Sequence, residues 1–152
     1  MPKRSAGLLI YKKREGNLEV FLVHPGGPFW ARKDLGSWSI PKGEYSPEED
    51  PLAAARREFR EETGMDAGVD FQELTEIRQK GGKYVKAWAV EGDYDPAAVK
   101  SNTFSLEWPP NSDKQLEFPE IDRAGWFPLE IAREKILASQ LPLLDELEKK
   151  LA

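Results

Sequence analysis

The 152 residues include 39% hydrophobic side chains, with five Trp and seven Phe, enough to bury the core of one domain. With no cysteine, the chain has no disulfide framework, thiolate nucleophile or cysteine metal site. A net charge of −5 argues against non-specific duplex binding, so a polyphosphate partner requires local cations or a bridging metal.

The first sixteen residues hold only a short apolar run before charge returns. That is too short for a membrane span, and no small-residue cleavage site follows, so the expected setting is cytoplasmic without a membrane partner. Residues 5–13 and 18–24 are apolar and β-branched, separated by the turn-forming Arg14-Glu15-Gly16-Asn17, and are predicted to pair as a hairpin. The Gly/Pro-rich stretch 24–37 is a long loop carrying Phe29, Trp30, Arg32 and Lys33, of a length that marks functional loops. Residues 38–41, Trp-Ser-Ile-Pro, read as a brief strand.

Asp50-Pro51 then supplies an N-cap and a first-turn proline. Residues 52–63 lack helix breakers, and Gly64 is suited to the C-terminal cap, which predicts a helix of about three turns. Leu52, Ala55 and Phe59 form its apolar stripe, while Glu58, Glu61 and Glu62 share the adjoining sector with Ala54 one turn earlier. Like charges at these spacings repel by roughly a few tenths of a kcal/mol per pair. Arg56, Arg57 and Arg60 are available to pair with them, as on any solvated acidic face. Carboxylates at i, i+3 and i+4 are also hard oxygen ligands suited to Mg²⁺ or Mn²⁺, and a bound cation turns the repulsion into attraction.

Further along, 70–79 and 83–92 are expected to form a second hairpin through Lys80-Gly81-Gly82-Lys83, with short strands at 101–110 and 123–129. From 129 to 151, Ile131, Ile136, Leu137, Leu141, Leu144, Leu147 and Leu151 recur at helical spacing, predicting a C-terminal amphipathic helix interrupted at Pro142.

Gly43, five residues, Glu49, seven residues, then Arg57-Glu58-Phe59-Arg60-Glu61-Glu62-Thr63-Gly64-Met65 fills every fixed position of the Nudix box. Seven identities in register arise by chance with a probability of roughly one in 10⁸ per start position. Phe59 is bulkier than the usual aliphatic there, which touches packing and not chemistry. The chain is therefore identified as a member of the Nudix hydrolase family. The resemblance implies an α/β fold over 1–152: a Nudix α/β/α sandwich whose mixed central sheet carries the box helix and a C-terminal helix.

It also implies roles. The glutamates matching Glu58 and Glu62 bind the divalent metal, that matching Glu61 binds metal or orients water, and the backbone carbonyl matching Gly43 completes the shell. Arg57 and Glu49 match positions that brace loop and helix. Outside the box, residues 117–127 resemble a family segment that places a further glutamate before an aromatic strand; Glu120 is the choice and Glu117 the competitor. Family members cleave a phosphoanhydride of a nucleoside diphosphate-linked substrate with Mg²⁺, for which Mn²⁺ can substitute, and need no covalent nucleophile. His24, the single histidine, is read as structural or substrate-facing in preference to catalytic.

Residues 38–44 resemble the Pro-Lys-Gly entrance of diadenosine polyphosphate hydrolases, which gives Lys42 a phosphate contact. Arg32, Lys33, Lys80, Lys83 and Tyr84 are candidates to hold a longer polyphosphate, and Trp30 or Trp38 to stack on a base. The expected ligand is a small nucleotide or dinucleoside polyphosphate. A fold-level resemblance leaves a second reading, a Nudix-fold nucleotide-binding or regulatory module, against which the intact carboxylates argue. Base, phosphate number, cleaved bond, metal number and oligomeric state are left open by the sequence.

Overall fold

The structure, a computed structural model, describes residues 3–79 and 81–151. Strands β1 (Arg4–Arg14) and β2 (Asn17–Pro25) form the expected hairpin, with Arg14 opposite Asn17 and both turn residues at positive φ, 53° for Glu15 and 83° for Gly16. Two residues with positive φ make the tight turn whose twist matches the flanking strands. Next in sequence, β3 (Lys42–Glu44) pairs antiparallel with the start of β1, Ala6 opposite Gly43. The brief strand expected at 38–41 is instead a pair of isolated bridges, Val23 with Ser39 and Trp38 with Ile136. Pro41 has no N–H to extend a ladder, and pairing resumes only after it.

Helix α1 (Pro51–Thr63) has the predicted ends: the Asp50 carboxylate accepts from Ala53 N at 3.0 Å, and Gly64, at φ 76°, donates to Arg60 O. Burial of Ala54, Ala55 and Phe59 seats the helix on Ala6, Leu8, Ile10, Phe21 and Val23 of the sheet. A fully buried phenylalanine of this kind contributes about 1.5–3 kcal/mol.

The hairpin expected from 70–92 is divided. Short strands β4 (Gln72–Glu73) and β5 (Ile77–Arg78) both pair antiparallel with β6 (Tyr84–Glu91), and the chain between them leaves the ladder. There the N–H of Thr75 donates to the Glu146 carboxylate at 2.7 Å, a side-chain partner in place of a strand. Strand β6 runs parallel to β1 along its full length, so the main sheet is mixed. After it come β7 (Thr103–Glu107) and β8 (Gln115–Pro119), a separate two-stranded hairpin, and β9 (Ile121–Pro128), which pairs with β2.

The C-terminal helix is two helices, α2 (Leu129–Lys135) and α3 (Leu141–Leu151). The break falls before Pro142, at Ile136, which is extended, and at Leu137, whose N–H donates to Trp38 O at 2.8 Å. Pro142 lies in the first turn of α3, where a missing N–H costs nothing. Sheet order is β4-β6-β1-β2-β9. One face buries Leu8, Ile10, Trp88 and Val90 with α1; the other buries Leu9, Val85, Ala87 and Ala89 with Ala132, Leu143, Leu144 and Leu147. This is the expected sandwich. Among the described residues no helix is long and apolar enough to cross a membrane.

Candidate active site

The site is built where the last two turns of α1 pass beneath β3. Gly43 lies directly over Glu58: a Cβ there would stand 2.0 Å from Glu58 Oε2, so only a glycine leaves the carboxylate its place. The backbone N–H of Lys42 donates to Glu62 Oε1 at 3.2 Å, tying the second carboxylate to the same strand. Burial, followed by repulsion from Glu61, raises Glu58 above the ordinary carboxylate value. Burial lifts Glu62 to about 8, only partly offset by the neighbouring ammonium of Lys42. Lys42 is itself lowered, chiefly by burial, with Glu62 opposing and the nearby Lys83 assisting the shift.

Arg57 supplies the counter-charge. Its Nε and Nη2 donate to the two oxygens of Glu49 at 2.9 and 3.1 Å, a fork that ties the 45–50 loop to the helix. Its Nη1 donates to Glu58 at 2.9 Å and to Glu61 at 3.2 Å. These carboxylates hold the guanidinium firmly in its charged form. Arg57 therefore stands between Glu58 and Glu61, and among the described residues no three carboxylate or histidine side chains already meet at one ligation point. The donor chemistry nevertheless fits a hard divalent cation: the carboxylates of Glu58 and Glu62 are raised chiefly by burial and further by neighbouring acids, a condition that a cation relieves.

Of the two loop acids, the structure brings Glu120 to the site. Its charge acts on both Glu58 and Glu62. Its peptide is pinned on both sides, with Glu120 N donating to Asn102 O and Gly26 N donating to Glu120 O, each at 2.8 Å. A Cβ on Gly26 would be 1.9 Å from Pro119 O, so this approach of two backbones requires glycine. Glu117 is instead an exposed member of β8, opposite Ser105.

Lys42, Glu62 and Glu120 share the wall of a cavity of 220 Å³ with Val23, Trp30, Ser37, Ser39, Ile40 and Ile121. A larger hollow of 820 Å³ lies at the other end of β1, around the β1–β2 turn, and holds none of the box residues. The remaining expectations divide. Trp30 lines the cavity, 36% exposed, with Lys33 Nζ 4.9 Å from its ring centre. Trp38 is corrected to a core residue: it is 5% exposed, its indole N–H donates to Asp34 at 2.7 Å, and Phe127 and His24 pack edge-on against its ring, leaving no face for a base.

Tyr84 is not among the residues lining the cavity. It lies on the β6 face shared with Lys86 and Trp88, where Arg4 and Arg78 approach its ring at 5.1 and 5.9 Å, whereas Lys83 is near enough for its charge to act on Lys42. Lys80 lies outside the described residues. His24 is fully buried, with Nδ1 2.7 Å from Asp122 and Nε2 2.7 Å from Lys33 O, and so anchors the loop structurally. The loop-to-β9 contacts at Gly26 and Glu120 escaped sequence reasoning, and Gly26-Gly27 was the one available signal.

The fold is an α/β/α sandwich with a cluster of acids where its first helix meets the sheet, and comparison with known proteins identifies its family. The NUDIX domain family model matches residues 1–147. The chain belongs to that family, and the expected resemblance to the diadenosine polyphosphate hydrolase subgroup is supported by its relatives. It is 31% identical to the asymmetrical bis(5'-nucleosyl)-tetraphosphatase of Rattus norvegicus over 108 residues, 62% of this chain and 69% of that protein. It is 29% identical over 136 residues to an octanoyltransferase of Myxococcus xanthus, 89% of this chain but only 33% of that longer protein. An Ap4A hydrolase from Caenorhabditis elegans, solved as a binary complex, superposes with a TM-score of 0.66 at 27% identity, covering 98% of this chain and 97% of that one.

Proposed function

We propose that the protein is a divalent-metal-dependent pyrophosphohydrolase of nucleoside polyphosphates, with dinucleoside polyphosphates foremost and nucleoside triphosphates as shorter substrates. The observation that carries this reading is the grouping of Glu62 and Glu120 with Lys42 at the wall of one cavity, with Glu58 near enough for its charge to act on Glu62. Glu58 and Glu62 would hold Mg²⁺, with Mn²⁺ as its substitute, and Glu61 and the Gly43 carbonyl are the further ligands of the expected set. A bound cation of this kind neutralises phosphate oxygens and lowers the pKa of water.

The chain's own residues do the positioning. Lys42, half-buried beside Glu62, presents an ammonium to a phosphate in the cavity, and Lys83 adds a second positive charge close enough to act on Lys42. Arg57, locked to Glu49, keeps Glu58 and the loop in register. Glu120 lines the same cavity, where a carboxylate can take the proton of an attacking water. Trp30 offers a ring face to the base nearest the site.

Incubation with a panel of dinucleoside polyphosphates, nucleoside triphosphates and sugar nucleotides, with Mg²⁺ and with chelator, tests the proposal, and products formed in ¹⁸O water give the bond cleaved. Turnover of a dinucleoside polyphosphate that vanishes with chelator is expected. Binding without turnover across the panel would replace the hydrolase with a nucleotide-sensing module.

A further inference from the structure

We propose that Gln140 is a positioning residue for the phosphate site: it clamps the segment 39–42 so that Lys42 stands at the cavity wall, without itself touching substrate. That Lys42 meets a phosphate rests on the hydrolase reading above; the clamp rests on the bonding of this segment alone.

Gln140 lies in the link between α2 and α3 and is fully buried. A buried amide has to find partners for both its oxygen and its NH2. Here Oε1 accepts from Ile40 N at 3.1 Å, a hundred residues earlier in the chain, and Nε2 donates to Ser39 Oγ at 3.0 Å. The Ser39 hydroxyl in turn donates to Ile40 O at 2.7 Å, so one amide and one hydroxyl take both backbone polar groups of Ile40. The neighbouring peptides are bonded elsewhere. Trp38 is tied through its backbone to Lys135 and Leu137, Ser39 exchanges two bonds with Val23, and Pro41, which has no N–H, gives its oxygen to Leu8 N. Ladder pairing restarts only at Lys42. Ile40, itself 1% exposed, therefore takes its partners from side chains, and a buried N–H left without one is costly.

What the clamp positions is close by. Ile40, Pro41 and Lys42 lie directly on Gly7 of β1, where an added Cβ would stand 3.0 Å from Ile40 Cδ1, 2.6 Å from Pro41 O and 2.7 Å from Lys42 Cβ. The segment is seated on the sheet at Gly7 and held by Gln140, which fixes the backbone beneath Lys42. A lysine ammonium on its flexible four-carbon stem is delivered to one point only if that backbone is fixed. Ser39, Ile40 and Lys42 all line the cavity, and so does Leu137, from the same link as Gln140. The break in the C-terminal helix thereby has a use: it brings Gln140 to the segment that carries the lysine.

The test is a double-mutant cycle read by binding. Wild type, Gln140→Met, Lys42→Ala and the double variant are titrated in Mg²⁺ with a diadenosine tetraphosphate analogue whose phosphate-bridging oxygens are all methylene, so that no turnover is needed. Gln140→Met should raise Kd about tenfold and Lys42→Ala at least as much. The double variant should stay within about twofold of Lys42→Ala, since the clamp acts through the lysine. In the free protein, hydrogen exchange at the Ile40 N–H should be slow in wild type and fast in Gln140→Met. A role in stability alone would lower Tm and leave Kd unchanged, or add its loss to that of Lys42→Ala; either result, or an Ile40 N–H equally slow in both proteins, would overturn the proposal. If Gln140→Met does not fold, Ser39→Ala takes its place in the cycle, with a rise of about threefold expected and the same coupling to Lys42. Wild type that binds the analogue with this coupling yet hydrolyses no natural nucleotide would remove the hydrolase and leave the clamp standing, whereas wild type that does not bind the analogue would overturn the clamp as well.

Discussion

A methyl group at Gly43 would collide with Glu58 Oε2 at 2.0 Å, but the obstacle is the tip of a flexible side chain, and the backbone there needs no left-handed conformation. Gly43→Ala should therefore fold with little change in Tm and lose roughly 100-fold in kcat, because an acid displaced by about 1 Å costs that much. Circular dichroism melts and initial rates measure the two sides, and unchanged turnover would detach Glu58 from the chemistry. Glu120 and Glu117 make a second contrast. Glu120→Gln should lower kcat with KM nearly unchanged, while Glu117→Gln, exposed on β8, should behave as wild type. The acids of the box were readable from spacing alone because a helix converts i, i+3 and i+4 into one sector. Trp38 was not, since nothing in its neighbours shows that Asp34 takes its N–H and Phe127 its ring edge.

At the scale of elements, the helix α1 was legible to its caps, since Asp50, Pro51 and Gly64 act locally. The C-terminal helix was legible in period but not in its break, which depends on Leu137 bonding to Trp38 about a hundred residues away. For the same reason β4 and β5 looked continuous, because the capture of Thr75 by Glu146 is a tertiary event. No strand is expected at 115–119 from the sequence, so β8 and with it the lever that holds Glu120 go unread. Gly26→Ala probes that lever: its Cβ meets the Pro119 carbonyl at 1.9 Å, backbone against backbone, so the loop and β9 must part. A loss of about 1–3 kcal/mol in denaturant unfolding is expected, together with a fall in kcat beyond that of Glu120→Gln as both the loop and the acid move. Stability and turnover both at wild-type level would show that the contact positions nothing.

For the molecule as a whole, stability and the proposed metal site are joined through Glu62. Its folded value of about 8 lies above its ordinary 4.5, so between those limits the folded protein keeps a proton that the unfolded chain has released. The stabilisation is complete below 4.5 and is lost as the pH climbs through about 8; Glu58, also raised, acts with the same sign. Lys42, being lowered, acts oppositely, its cost relieved fully only as the pH passes its ordinary 10.5. Asp34 and Glu49, lowered by Lys135 and Arg57, add stability that fails on acidification below the carboxylate range. With chelator present, Tm should thus decline as pH rises from 4.5 through about 8. On the proposed metal site Mg²⁺ would bind the ionised acids of the folded state alone, so its stabilisation should grow over the same interval, reaching about 2.7 kcal/mol at a hundredfold excess over Kd. Glu62→Gln should flatten the chelator profile, melt higher than wild type at the alkaline end, and respond weakly to Mg²⁺. Parallel pH profiles for the variant and wild type would place the linkage elsewhere. A full Mg²⁺ response in the variant would remove Glu62 from the metal site.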